Sequence, residues 1–166
     1  MANRTKPSKG SQATDAIALL TADHKEVKAL FKQYDELAET DEGDADRQAL
    51  ADQICQMLTV HATLEEELFY PAAREALGGD EDLVDEADIE HASVKELIAQ
   101  IEGSSPDDDH FDARVKVLGE YVDHHVKEEE GEMFPKIKKG GIDTAALGAH
   151  LMARKEQLLA EVASEA

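Results

Sequence analysis

Apolar residues recur at steps of three and four along most of the chain, the spacing that keeps one face of an α-helix toward a core. Ile17, Leu20, Val27, Phe31 and Tyr34 open the pattern, and Leu50, Ile54, Met57 and Leu68 continue it. Val84, Ala87, Val94, Ile98 and Ile101 form a third run, and Phe111, Val115, Leu118, Val122 and Met133 a fourth. The interruptions, DEGD at 41–44, GGDED at 78–82, GSSPDDD at 103–109 and KKGG at 138–141, have the chemistry of turns and helix caps. Together these signals predict helices over about 12–39, 44–77, 82–102 and 107–139, and a shorter fifth over about 142–164. Turns this short make successive helices antiparallel. The expected fold class is therefore all-α: an up-down-up-down antiparallel four-helix bundle with an additional C-terminal helix. The domain reading is a disordered tail over 1–11, the bundle over 12–140 and a C-terminal amphipathic helix over 141–166. On that last helix Leu147, Leu151, Leu158 and Val162 share one stripe, which must be covered by the bundle or by a partner subunit, while His150 lies off it.

The stripes are not wholly apolar. His24 falls in the first, His61 and Glu65 in the second, His91 in the third, and His125 and Glu129 in the fourth. An ionised carboxylate without a partner inside a bundle costs several kcal/mol, and a half-satisfied polar cluster is worse than an apolar core. Something must compensate these six groups. In His61-x-x-x-Glu65 and His125-x-x-x-Glu129 each imidazole stacks one turn from its carboxylate, so both can reach a common point. In antiparallel neighbours, two residues at one level have their sequence midpoint at the connecting turn. His24 and His61 average to Glu42/Gly43, His61 and His91 to Ala76, and His91 and His125 to Asp108, all in or within about a turn of the expected loops. The four imidazoles can share one layer.

Composition narrows the chemistry. The 166 residues suit one domain, and 42% hydrophobic residues with only 4% aromatics and no Trp require an aliphatic core. Against 38 Asp plus Glu stand 17 Lys plus Arg, and the formal charge of -21 repels phosphate backbones and anionic membrane surfaces. Neither nucleic acid nor membrane is an expected partner. No apolar run approaches the roughly 20 residues of a membrane span, and the start MANRTKPSKG has no secretion-type apolar stretch, so the expected location is cytoplasmic. The single Cys55 sits in a helical pattern beside Ile54 and is read as core filler.

The two halves of the chain parallel each other. DHKEVKAL (23–30) matches EHASVKEL (90–97), and HATLEEELFYP (61–71) matches HVKEEEGEMFP (125–135). Each half is one helical hairpin, and their pairing with approximate twofold symmetry leads to a two-metal centre. Nitrogen and oxygen donors without sulfur suit iron or manganese, which keep positions open for small molecules; zinc is the redox-silent alternative and copper fits the paired carboxylates less well. The run His, His-x-x-x-Glu, His, His-x-x-x-Glu resembles the haemerythrin-like family of bundles with a His-His-Glu (HHE) cation-binding motif, over about residues 14–138. That resemblance implies two iron ions with an oxo or hydroxo bridge. By position it assigns His24, His61, His91 and His125 as terminal ligands, and Glu65 and Glu129 as bridges. Oxygen carriers of the family have His-x-x-x-His on the third helix, whereas this chain has Lys95 four residues after His91, which argues against reversible oxygen transport. They also carry a carboxylate at the i+5 position on the last helix, here Glu130; symmetry with Glu65 favours Glu129. Tyr121, one turn before His125, is a candidate substitute for the missing imidazole. His124 lies about 100° round the helix from His125, and His110 opens its helix far from the layer; neither belongs to the centre.

The expected function is a non-haem di-iron protein that binds or senses a small oxidant (oxygen, nitric oxide or peroxide) or iron itself. A di-iron enzyme disproportionating peroxide, or an oxidase, is the second reading. The third is a metal-independent acidic helical adaptor, in which the inward polar residues form a network of their own. A protein partner or a homodimer would engage the C-terminal helix.

Overall fold

The computed structural model describes residues 15–40, 43–79 and 81–165, all-helical with no strand among them. The tail over 1–11 and the expected first residues of helix 1 lie outside the described residues. The elements are α1 (Ala16–Glu39), α2 (Asp44–Leu64), α3 (Tyr70–Leu77), α4 (Asp82–Glu102), α5 (Phe111–Glu128), α6 (Phe134–Lys139) and α7 (Thr144–Glu165). A single π-helical turn, Glu65–Phe69, joins α2 to α3, and a second, Glu129–Met133, joins α5 to α6. The second and fourth long helices of the bundle therefore run unbroken over 44–77 and 111–139.

Helical periodicity does not announce the π turns, but their cause is local. Tyr70 N–H donates to Glu65 C=O and Phe134 N–H to Glu129 C=O, one residue wider than an α-helical bond, and the next residue in each case is proline. Pro71 and Pro135 have no N–H to donate back to the previous turn, and their rings crowd the carbonyl four residues earlier; a wider turn relieves both. At its N-terminus α1 is capped by Asp15, whose carboxylate accepts from Ile17 N–H at 2.9 Å. The fourth long helix begins at Phe111, later than the expected 107, because Asp108 is used in a turn: its side chain accepts from His110 N–H at 2.8 Å, and its carbonyl from Phe111 N–H at 3.0 Å.

The layer of polar residues divides the core in two. Leu20, Leu64, Phe69, Tyr70, Val84, Phe134 and Ile137 pack on one side of it. Val27, Tyr34, Ile54, Leu58, Ile98, Phe111 and Leu118 pack on the other, together with the buried Cys55, whose thiol burial pushes up to about 12. On this second side, Tyr34 donates to Asp112 at 2.5 Å, and Arg47 bonds both oxygens of the same carboxylate at 2.7 and 2.9 Å. α7 lies across α1 and α2 with Leu151 fully buried and Leu147 and Leu158 partly so. No described helix is long and apolar enough to cross a membrane.

Candidate metal centre

All six inward-pointing polar residues are buried: His24, His61, His91 and His125 retain 4–8% exposure, Glu65 0% and Glu129 1%. They meet in one layer, with imidazole centroids 4.9 Å apart for His24 and His61 and 4.8 Å for His91 and His125. Their donor atoms sort into two groups that can each hold a metal ion: His24, His61 and Glu129 form one, and Glu65, His91 and His125 the other. The groups interlock. Glu65 Oε1 is 3.4 Å from His91 Nε2 in its own group but 2.9 Å from His61 Nε2 in the other. Glu129 Oε1 likewise stands 3.5 Å from His24 Nε2 and 2.9 Å from His125 Nε2. Each carboxylate therefore spans both groups, as a bridging ligand must.

These short approaches do not satisfy the atoms involved. Both oxygens of Glu65, both oxygens of Glu129, and Nε2 of His24 and of His61 have no hydrogen-bond partner among the described residues. Buried unsatisfied groups cost roughly 1–3 kcal/mol each, more when charged. Six of them would offset much of the ~5–15 kcal/mol net stability of a domain. Lone pairs that crowd together without pairing are aimed at a shared point. Donors about 2.1 Å from one octahedral ion stand about 3 Å apart, close to the 3.2–3.5 Å found within each group. The donor set therefore fits a pair of cations.

The outer face of the layer fixes the imidazoles. His61 Nδ1 is 3.0 Å from Asp23 Oδ2, His24 Nδ1 is 3.1 Å from Glu130 Oε1, and His125 Nδ1 is 3.1 Å from Glu90 Oε1. A carboxylate that accepts a hydrogen bond from Nδ1–H leaves Nε2 facing inward, the arrangement that orients histidine ligands. Asp23 is in turn held by Lys155 of α7 at 2.8 Å.

Electrostatics follow from this packing. Burial pushes the His61 imidazolium down, but the Glu65 carboxylate and the hydrogen bond to Asp23 outweigh it and hold His61 up at about 10. His125 is held at about 12, against burial, by the charge of the Glu129 carboxylate 2.9 Å away and by the hydrogen bond to Glu90. Glu65 is kept well below the carboxylate range by His61 despite its burial.

Other sequence candidates fall as follows. Glu130 is not in the layer; it bonds His24 from the outer side. Tyr121 is 48% exposed and points away from the centre. Lys95 pairs with Glu66 at 2.6 Å on the surface, so α4 offers no second ligand at that position. His124 is exposed and outside both groups, as are the exposed His110 and His150. Sequence reasoning missed Asp23 and Glu90, which hold His61 and His125 from outside, and, closest to the centre, Tyr70. Its hydroxyl stands 3.0 Å from His91 Nε2 and 3.2 Å from His125 Nε2, and burial with the Glu65 and Glu129 charges pushes its ionisation far up, so it stays a neutral phenol. A signal existed: Tyr70 is matched in the repeat by Phe134, which stacks on His24 with centroids 6.0 Å apart.

Residues 15–137 match the model of the Hemerythrin HHE cation binding domain. The chain is 34% identical over 122 residues to a protein described as a DNA nickase from Nostoc sp. (strain PCC 7120), an alignment covering 72% of this chain and 32% of that protein. It therefore spans about a third of the length of that relative. The fold superimposes on the crystal structure of a hemerythrin HHE cation binding domain-containing protein from Mycobacterium kansasii with a TM-score of 0.75, at 24% identity and covering 91% of each chain. With the family model covering the whole bundle, the chain belongs to the hemerythrin HHE cation-binding domain family.

Proposed function

We propose that the chain is a non-haem di-iron protein that binds or senses a small oxidant, or iron itself, with His24, His61, His91 and His125 as terminal ligands and Glu65 and Glu129 as bridges. The observation that carries the reading is the pair of interlocked donor groups whose buried atoms have no other partner. Nitrogen and carboxylate donors without sulfur suit iron, with manganese or zinc less well matched to small-oxidant chemistry. Bound there, iron would supply Lewis acidity and one-electron redox chemistry. The chain's own residues hold the ligands in place, keep water out, and set a neutral Tyr70 hydroxyl against the His91 and His125 Nε2 atoms. A cavity of about 30 Å³ adjoins the four imidazoles, walled by Val27, Met57, Leu58, Val94, Val122 and Val126. That volume admits about one water-sized molecule, the scale of oxygen, nitric oxide or peroxide.

Lys95 faces outward, so no fifth imidazole closes the centre, and this favours peroxide disproportionation as a second reading. Oxygen release from added hydrogen peroxide, abolished in His61→Ala, supports it; no release retires it. The metal-independent adaptor is disfavoured by the orphaned carboxylate oxygens. The activity named for the Nostoc relative is not extended to this chain, because the -21 formal charge opposes a polyanion. The primary reading is tested by metal analysis of the purified protein with aerobic and anaerobic absorption spectra. About two iron atoms per chain, with near-ultraviolet absorption that responds to oxygen, nitric oxide or peroxide, is the expected result; iron-free protein unable to take up iron contradicts it.

A further inference from the structure

Outside the centre, α4 and α5 bring together a further histidine-carboxylate group. Glu90, His124 and Glu128 place three ligand atoms within 4.8 Å of one another. His124 Nε2 lies 3.1 Å from Glu128 Oε1 and 3.5 Å from Glu90 Oε2. The carboxylate of Glu90 is partly buried and fixed on its inner side, where Oε1 meets His125 Nδ1 at 3.1 Å, so Oε2 is presented outward in one orientation. A shallow pocket of about 280 Å³ opens over the group, lined by Glu90, Ser93, Tyr121 and His124, with a hydroxyl on two of those four side chains.

We infer that Glu90, His124 and Glu128 form a third cation site, on the surface, for a borderline divalent ion such as Zn²⁺, Mn²⁺ or Fe²⁺. One imidazole with two carboxylates suits this class, where carboxylates alone would suit Ca²⁺ or Mg²⁺ and sulfur would select Cu⁺. His124 and Glu128 repeat on the outer face of α5 the i, i+4 pairing that His125 and Glu129 make on its inner face, and Glu90 closes the site from α4. The acidic surface concentrates cations around it. Glu90 is shared: its inner oxygen orients His125 and its outer oxygen faces the surface ion. The ligand assignment stands on these distances alone, whereas the link to the interior rests on the di-metal reading.

Zn²⁺ titrated calorimetrically into the metal-free 166-residue chain tests the site. Wild type is expected to take up about three ions, His124→Ala about two, and Glu128→Gln to bind the third at least about tenfold more weakly. His124→Ala leaves the formal charge of -21 unchanged, so diffuse attraction to an acidic surface does not account for a lost ion. His124 is exposed, and unchanged helix content by circular dichroism checks that the variant is folded. Equal stoichiometry in wild type and His124→Ala, whether two or three, overturns the surface site and leaves the centre standing. One ion in wild type and none in His124→Ala keeps the surface site and overturns the di-metal reading instead.

Discussion

Glu129 and Glu130 are adjacent in sequence and sit in opposite environments, one sealed in the layer with both oxygens unpaired, the other holding His24 from outside. Their substitutions should separate accordingly. On the proposed two-metal reading Glu129→Gln would remove a bridge, and the variant is expected to hold at least one metal ion fewer than wild type by elemental analysis. Glu130→Gln should retain both ions with affinity about 10–100-fold lower, the usual effect of an outer-shell partner. The reverse pattern would move the ligand to the i+5 position. Tyr70 shows what the pattern along the chain conceals. Steps of three and four from His61 pass through Glu65 to Leu68, yet Phe69 and Tyr70 are the buried residues and Leu68 only partly so. The extra residue of the π turn rotates the following side chains by about 100° relative to an α-helix. Helical periodicity carries no trace of that insertion; only Pro71 and the Tyr70/Phe134 mismatch do. Where the helices stay regular, as in α4 and α5, every residue of the expected stripe from Val84 to Ile101 and from Phe111 to His125 is buried.

At the scale of elements, the bundle is closed at the α3–α6 end by a close approach. A Cβ at Gly140 would lie 2.6 Å from the Ala76 carbonyl oxygen, which is backbone and cannot swing aside. Gly140→Ala is expected to cost about 1–3 kcal/mol and lower the melting temperature by several degrees. Gly131→Ala, where nothing lies within 4 Å, should be neutral or slightly stabilising in the same thermal melt. α7 shows the complementary case, an element whose amphipathic stripe was legible but whose role was not. Its apolar residues cover α1 and α2 as the Leu147, Leu151, Leu158 spacing requires, but Lys155 also reaches Asp23, which orients His61. No local pattern could announce a contact between residues this far apart in the chain. Lys155→Ala should therefore weaken metal binding measurably while leaving the helices intact by circular dichroism.

For the whole molecule, the buried charges make stability depend on both pH and metal. In the metal-free chain, His61 and His125 are held above their ordinary value of 6.5, at about 10 and about 12. Their contribution is fully present below about pH 6.5 and lost as pH rises through those values. Asp23 and Glu65 are depressed, so their contribution is present above the ordinary carboxylate range and lost on acidification. The metal-free protein should thus melt at its highest temperature near pH 5–6.5 and progressively lower toward pH 10. If His61 and His125 are ligands as proposed, metal loading would displace their imidazolium protons, so uptake near pH 7.5 should release about two protons per chain in a weakly buffered solution, and the alkaline decline should flatten. Iron stoichiometry combined with the melting temperature before and after chelation tests the central claim most directly. Buried donors from four helices that converge on two cations predict about two iron atoms per chain and a fall of more than about 5 °C on their removal. A protein that binds no metal and melts at the same temperature with and without chelator would contradict it.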